Sequence, residues 1–217
     1  MDWGSCASRC TGPHSKDLAS EGDYFILQGV TMKKTAIVLI SLLVLVGTVA
    51  AAGAFTLTSS ELKDGGRMPQ DQVFSGFGCT GKNVSPALQW KDWPSGTKSF
   101  AVTVYDPDAP TGSGWWHWVI FNIPATVHAL PTNAGNPAAG LAPKGSVQSM
   151  TDFGKPGYGG ACPPKGDKPH RYQFTVFALD TDKLPLQSSA PGAMVGFFLN
   201  QHALGKATFT VYYSRER

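Results

Sequence analysis

Phe100-Ala101-Val102-Thr103-Val104-Tyr105 is a run that suits a strand far better than a helix. Its β-branched residues lose rotamer freedom against a helical turn but pack well on a pleated surface. Asp106-Pro107 stops the run after one strand's length, because proline donates no hydrogen bond and fixes its own backbone angle. Three more runs follow this pattern. Trp116 to Ile123 is aromatic-rich and ended by Pro124. Tyr172 to Leu179 sets Tyr172, Phe174, Val176 and Ala178 against Gln173, Thr175 and Phe177. Ala207 to Tyr213 sets Phe209, Val211 and Tyr213 against Thr208, Thr210 and Tyr212. Phe55-Thr56-Leu57 reads as an earlier, shorter strand. Repeated alternation of this kind predicts a mainly β domain.

Composition agrees. Only 15% of the 217 residues are charged, whereas 25 are Gly and 16 Pro, a balance that favours strands and structured turns over long exposed helices. One helix is expected between Pro191 and Leu204, with Gly205 as its C-terminal stop. The long connections Gly76 to Pro86, Ala109 to Gly114 and Pro131 to Gly166 are of a length that is usually functional or firmly pinned. No linker divides the domain. The formal charge of +3 is small and its lysines are scattered, which argues against a nucleic-acid surface.

The first 54 residues read as separate from the fold. Met32-Lys33-Lys34 precedes an apolar run from Ala36 to Val49, and small residues follow from Ala50 to Ala54. That order is a secretory signal peptide. Cleavage after Ala54 or after Ala52 satisfies the small-residue rule. A membrane anchor is the competing reading, since Thr35 to Phe55 approaches the ~20 apolar residues a span needs. Gly47 and the alanine-rich end fit a protease site better, so no stable anchor is expected after cleavage. Residues 1–31 read as an upstream extension, leaving a single domain over 55–217 in the periplasm or outside the cell.

Two cysteines, Cys79 and Cys162, remain in that exported domain, a compartment that permits disulfides, and pairing is the expected state. Two buried thiols or a metal site are the alternatives, without the C-x-x-C spacing that favours zinc.

Two loop-to-strand junctions gather the polar groups. Asp106-Pro107-Asp108-Ala109-Pro110 is followed by Trp115-Trp116-His117-Trp118. Gly157-Tyr158-Gly159-Gly160-Ala161-Cys162-Pro163-Pro164 is followed by His170-Arg171-Tyr172. Each joins a Pro- or Gly-stiffened loop to a histidine at the start of an apolar strand, a combination suited to an anion site. Taken alone, the two histidines read as structural and the two aspartates as turn formers.

Together these residues resemble the signature of the phosphatidylethanolamine-binding proteins. Asn83-Val84-Ser85-Pro86-Ala87-Leu88-Gln89-Trp90 and Asp152-Phe153-Gly154-Lys155 are similar to their bacterial Raf-kinase-inhibitor-like branch (YbhB/YbcL type). The resemblance spans about Phe55 to Ser214. It implies antiparallel sheets packed together with short peripheral helices, and a small pocket for phosphate-like or carboxylate groups. Carried over, the pocket is lined by Asp106, His117, Gly160, Pro163, His170 and Tyr172, with Asp108 and Tyr158 close by. Both histidines are expected to donate to the anion, and Asp106 to orient a histidine or meet an ammonium. A Cys79–Cys162 bond would clamp the pocket wall. Ala161 and Thr151 depart from the common pattern. The chain ends at Arg217, just after the last expected strand, without the C-terminal helix of eukaryotic relatives, which implies a more open pocket. Bacterial relatives also make a homodimer an open expectation.

The resulting expectation is a binding protein for a small anionic ligand, with a protein partner to regulate or inhibit and no cofactor. The alternative is a small hydrolase using His117 or His170 as base, with Asp106 orienting it and Ser85 as nearest nucleophile, but no Gly-x-Ser-x-Gly elbow surrounds that serine. A metal site on both histidines and Asp106 lacks paired ligand spacing.

Overall fold

The computed structural model describes residues 53–217. The upstream extension and nearly all of the expected signal peptide lie outside the described residues. In chain order the elements are β1 (Thr56–Thr58), β2 (Ser75–Gly76), β3 (Cys79–Thr80), β4 (Leu88–Lys91), β5 (Ser99–Asp106) and β6 (Trp115–Pro124). Next come β7 (Ala129–Leu130), β8 (Val147–Gln148), β9 (His170–Leu179), α1 (Gly192–His202) and β10 (Ala203–Tyr213). Every strand pairing is antiparallel: a five-stranded sheet ordered β10-β9-β5-β6-β8, a three-stranded sheet β1-β4-β7 and the small hairpin β2-β3.

Side-chain alternation builds three layers. On the central strands, Phe100, Val102 and Val104 of β5 and Tyr172, Phe174, Val176 and Ala178 of β9 enter one buried cluster, shared with Leu57, Leu88 and Trp90 of the small sheet. The opposite face buries Ala101, Val119, Phe121, Phe177 and Leu179 against Val195 and Leu199 of α1. Phe177 breaks the polar side of its strand's alternation because the helix layer covers that face. Burying each large side chain contributes roughly 1.5–3 kcal/mol, so the two clusters carry the sheet order.

The helix falls where the sequence placed it, but its stop does not. Ala203, already extended, ends α1, and β10 starts at that residue. Gly205 instead lies at a register shift in β10, where a Cβ would meet Pro94 Cγ at 2.8 Å. Gly192 serves close approach too: a Cβ there would lie 2.5 Å from Trp116 Cγ, so the glycine lets the helix settle on that indole.

The outer edge of β10 is covered, as Gly65 N donates to Thr210 O and Met68 N to Tyr212 O, both at 2.8 Å. This removes an exposed pairing edge. Among the described residues no helix is long and apolar enough to cross a membrane.

Candidate functional site

Sheet order explains why the distant motifs meet. The antiparallel register sets Asp106 opposite Trp115 and Tyr105 opposite Gln173. The end of β5 therefore lies beside the starts of β6 and β9, which carry His117, His170 and Tyr172. A cavity of about 220 Å³ opens there. Of the expected residues, Asp106, His117, Pro163, His170 and Tyr172 line it. Phe77, Ala109, Pro110, Thr111, Trp115, Phe153, Cys162 and Pro164 complete the wall.

Asp106 is 2% exposed and both its oxygens are engaged. Oδ2 accepts from His170 Nδ1 at 2.7 Å, and Oδ1 accepts from the Asp108 amide at 2.8 Å. A buried carboxylate is tolerable only when paired and hydrogen-bonded, and this one is both. In this arrangement its Oδ2 is spent on His170 and its Oδ1 on the loop backbone. On the other edge of that ring, Nε2 lies 3.5 Å from Asp167 Oδ2.

His117 departs from the expectation that both histidines donate to a ligand. Its Nδ1 faces the Gly159 carbonyl at 2.7 Å, and the Gly159 amide donates to the His117 carbonyl at 2.8 Å. A carbonyl can only accept, so the Nδ1 proton is committed and Nε2 is the nitrogen left for the cavity. Burial pushes the His117 pKa below its ordinary 6.5, outweighing the Gly159 bond and the charge of Asp106. A neutral ring presents Nε2 as an acceptor.

Three expected residues lie off the cavity. Asp108 takes the backbone N–H and Nε of Arg171 at 2.9 Å and Nη2 at 2.8 Å. The side-chain hydrogen bonding from Arg171 holds its carboxyl at about 2 despite the opposing cost of desolvation. This clasp fastens the Asp106–Pro110 loop to β9. Tyr158 is buried with its hydroxyl donating to Gln72 O at 2.8 Å, and burial pushes its phenol up, so it stays a donor. Gly160 gives its amide to Asn83 Oδ1 at 2.7 Å, and a Cβ there would fall 2.2 Å from Gln72 O and 2.5 Å from Phe74 N. Its lack of a side chain admits neighbouring backbone.

Cys79 and Cys162 are disulfide-bonded across 83 positions of sequence. The bond ties the β2-β3 hairpin to the cavity wall at Cys162. Phe77, at the hairpin turn, has φ of 52° and is 70% exposed, and its ring centroid lies 6.0 Å from that of Phe153. Phe153 also stacks on Phe74 at 4.5 Å. Its loop is pinned by Asp152 Oδ2, which accepts the Trp116 amide at 2.7 Å.

Sequence reasoning missed Asp167, Phe77 and the bracing role of Asn83. Asp167 precedes His170 by three residues in a charged loop and carries no separate signal. Asn83 lay inside a quoted motif, and its φ of 56° suits asparagine, which tolerates the left-handed region. Ser85, the candidate nucleophile, is buried off the cavity with Oγ accepting from the Gly135 amide at 2.8 Å. Among the cavity hydroxyls, that of Thr111 donates to Gly114 O.

Packed antiparallel sheets with a small, partly polar cavity where three central strands end define a β-rich domain with a candidate ligand cavity. Residues 58–214 match the family described as phosphatidylethanolamine-binding protein. The chain is 58% identical to YbcL of Escherichia coli (strain K12) over 164 residues, covering 76% of this chain and 90% of that one. It is 52% identical to YbhB of the same organism over 158 residues, covering 73% and 99%. The crystal structure of E. coli YbcL superposes with a TM-score of 0.74 at 56% identity, covering 76% of this chain and all of the other. The chain belongs to the phosphatidylethanolamine-binding protein family, in its bacterial YbhB/YbcL type.

Proposed function

We propose that the protein is an exported binding protein whose cavity captures a small anionic group (a phosphate monoester, a phospholipid headgroup or a carboxylate) in order to regulate a partner. The observation that carries this reading is the pair of buried imidazoles at the cavity, each held by a different anchor: His170 by Asp106, and His117 by the Gly159 carbonyl. Fixed polar groups in a cavity of about 220 Å³ suit one compact polar headgroup.

The two rings offer different chemistry. His117 Nε2 accepts when neutral, so a ligand that keeps a proton satisfies it, such as a phosphate monoester below its second pKa of about 6. His170 is held between two carboxylates at the cavity, with Nδ1 on Asp106 and Nε2 facing Asp167, so a ligand there would compete with Asp167 for the Nε2 edge. Export rests on the basic, apolar and small-residue order of 32–54 and is consistent with a disulfide at the cavity wall.

The test is the melting temperature of the mature domain across a panel of phosphate esters, phospholipid headgroups and carboxylates. A ligand at 100 times its Kd stabilises by about 2.7 kcal/mol, roughly 5–11 °C for a chain of this size. The shift should vanish in His170→Ala. No shift with any compound would overturn the cavity reading.

A further inference from the structure

The sequence ranks cleavage after Ala52 only just behind cleavage after Ala54, but the folded domain treats the two positions differently. Gly53 lies against the carboxylate of Asp92: a Cβ on it would fall 2.8 Å from Oδ2 and 2.9 Å from Cγ. Asp92 itself has φ of 59°, a left-handed conformation that most residues resist, and this turns the residue at the end of β4. Among the described residues Asp92 forms no ion pair and accepts no side-chain hydrogen bond. Gly53 and Phe55 share one surface cavity with Asp92, Trp93 and Pro94. Phe55 packs on the main core cluster, and Thr56 pairs with Lys91. The segment from Gly53 onward is thus part of the fold.

We infer that the export peptidase cuts between Ala52 and Gly53, and that the α-ammonium freed on Gly53 pairs with Asp92. Hydrolysis of that peptide bond adds one water, leaving a carboxylate on Ala52 and the amine on Gly53. Ala50 and Ala52 then fill the small-residue positions of the peptidase. The new charge appears beside a carboxylate that has no cation partner among the described residues. Cutting after Ala54 instead removes Gly53 from its place, leaves Asp92 unpaired and puts the ammonium on the residue that packs on the core. A Gly53 amine also has the freedom to reach Oδ2, because no side chain fills the gap.

This inference rests on the export reading, and one experiment separates the two. The full chain is expressed in a bacterium with an export pathway, and the N-terminal sequence and intact mass of the product are read. A product beginning Gly53-Ala54-Phe55 supports the cut. A product beginning at Phe55, lighter by one glycine and one alanine, overturns the site but not export. An uncut chain overturns both.

The ion pair has its own readout. Asparagine tolerates the left-handed backbone as aspartate does, so Asp92→Asn removes the charge alone. For an exposed pair it should lower the melting temperature of the mature protein by about 1–4 °C at pH 7. The other titratable groups around the segment are Lys91, Lys98, Lys206 and His128, which stacks on Trp93. An α-amino group in an unfolded chain has a pKa of about 8. The carboxylate raises the folded pKa of the amine, so its contribution is present below about 8 and lost as pH rises past the folded value. The Asp92→Asn difference should therefore vanish near pH 10, and a difference that persists there overturns the pairing.

Discussion

Breaking the Cys79–Cys162 bond should cost this domain a large share of its stability. The two cysteines are 83 residues apart, so the bond closes a loop of roughly half the domain. The chain-entropy treatment gives about 4.5 kcal/mol at 25 °C for a loop of that length, against a typical range of about 2–4 kcal/mol for measured bonds. A loss of about 3–4.5 kcal/mol corresponds to a melting temperature lower by about 6–18 °C in a chain of this size. Alanine is the better replacement, because Cys79 is buried and a serine hydroxyl there would add the cost of an unpaired polar group. The assay is urea unfolding of the oxidised protein, the reduced protein and the Cys79→Ala/Cys162→Ala variant. The midpoint should fall in both modified forms, and the slope should rise as the unfolded chain expands. Thiol titration of the unfolded, unreduced protein should find no free thiol. A loss below about 1 kcal/mol with the bond intact would refute the reasoning, since the unfolded chain would then already hold the two positions together.

Asn83→Ala should destabilise by about 2–4 kcal/mol. It removes bonds to Gly160 N and Tyr158 O and places alanine at φ of 56°; a urea midpoint unchanged within error would count against this bracing role. Gly160→Ala should cost about 1–3 kcal/mol or more, because the neighbours it would strike are backbone atoms of Gln72, Val73 and Phe74; stability equal to the parent with lost ligand binding would instead make Gly160 a ligand contact. The depressed His117 pKa makes stability fall as pH drops below 6.5, since the unfolded chain takes the proton first. The slope is up to about 1.4 kcal/mol per pH unit until the folded pKa is reached, and His117→Asn should flatten that limb of a urea-midpoint series from pH 7.5 to 4.5.

The long strands were legible because their alternation is set by burial on a pleated sheet. Phe100, Val102 and Val104 fall in one cluster as their spacing requires. The two-residue strands β2, β3, β7 and β8 were not, since a period of two needs more than two residues to show. Gly205 misled because glycine after a helix often marks a cap, whereas here the chain enters β10 without a turn and the glycine admits Pro94. Gly160 and Tyr158 expose a related ambiguity. A motif records that something must come close to a glycine, but a ligand and a strand of backbone leave the same mark. The motif pattern pointed to this loop, and only the packing of 72–74 beneath it identifies what approaches Gly160.

If the cavity binds an anion as proposed, the ties around it share one property that bears on affinity. Arg171 holds Asp108, Asp152 holds the Trp116 amide, Asn83 holds Gly160, and the disulfide holds the hairpin of Phe77. Among these groups, only Cys162 and Phe77 belong to the cavity lining. Each therefore acts on the free protein, by keeping His117, His170 and their loops in one arrangement before a ligand arrives. Ordering a loop or a rotamer-rich side chain at binding costs about 0.5–1.5 kcal/mol apiece, so loops fixed in advance leave more of the contact energy as affinity. Arg171→Ala isolates this effect, because Arg171 is exposed and lies outside the cavity lining. It should weaken binding of inorganic phosphate by slowing nothing in association while raising the dissociation rate, and unchanged dissociation would mean that the Asp106–Pro110 loop holds its shape without the clasp.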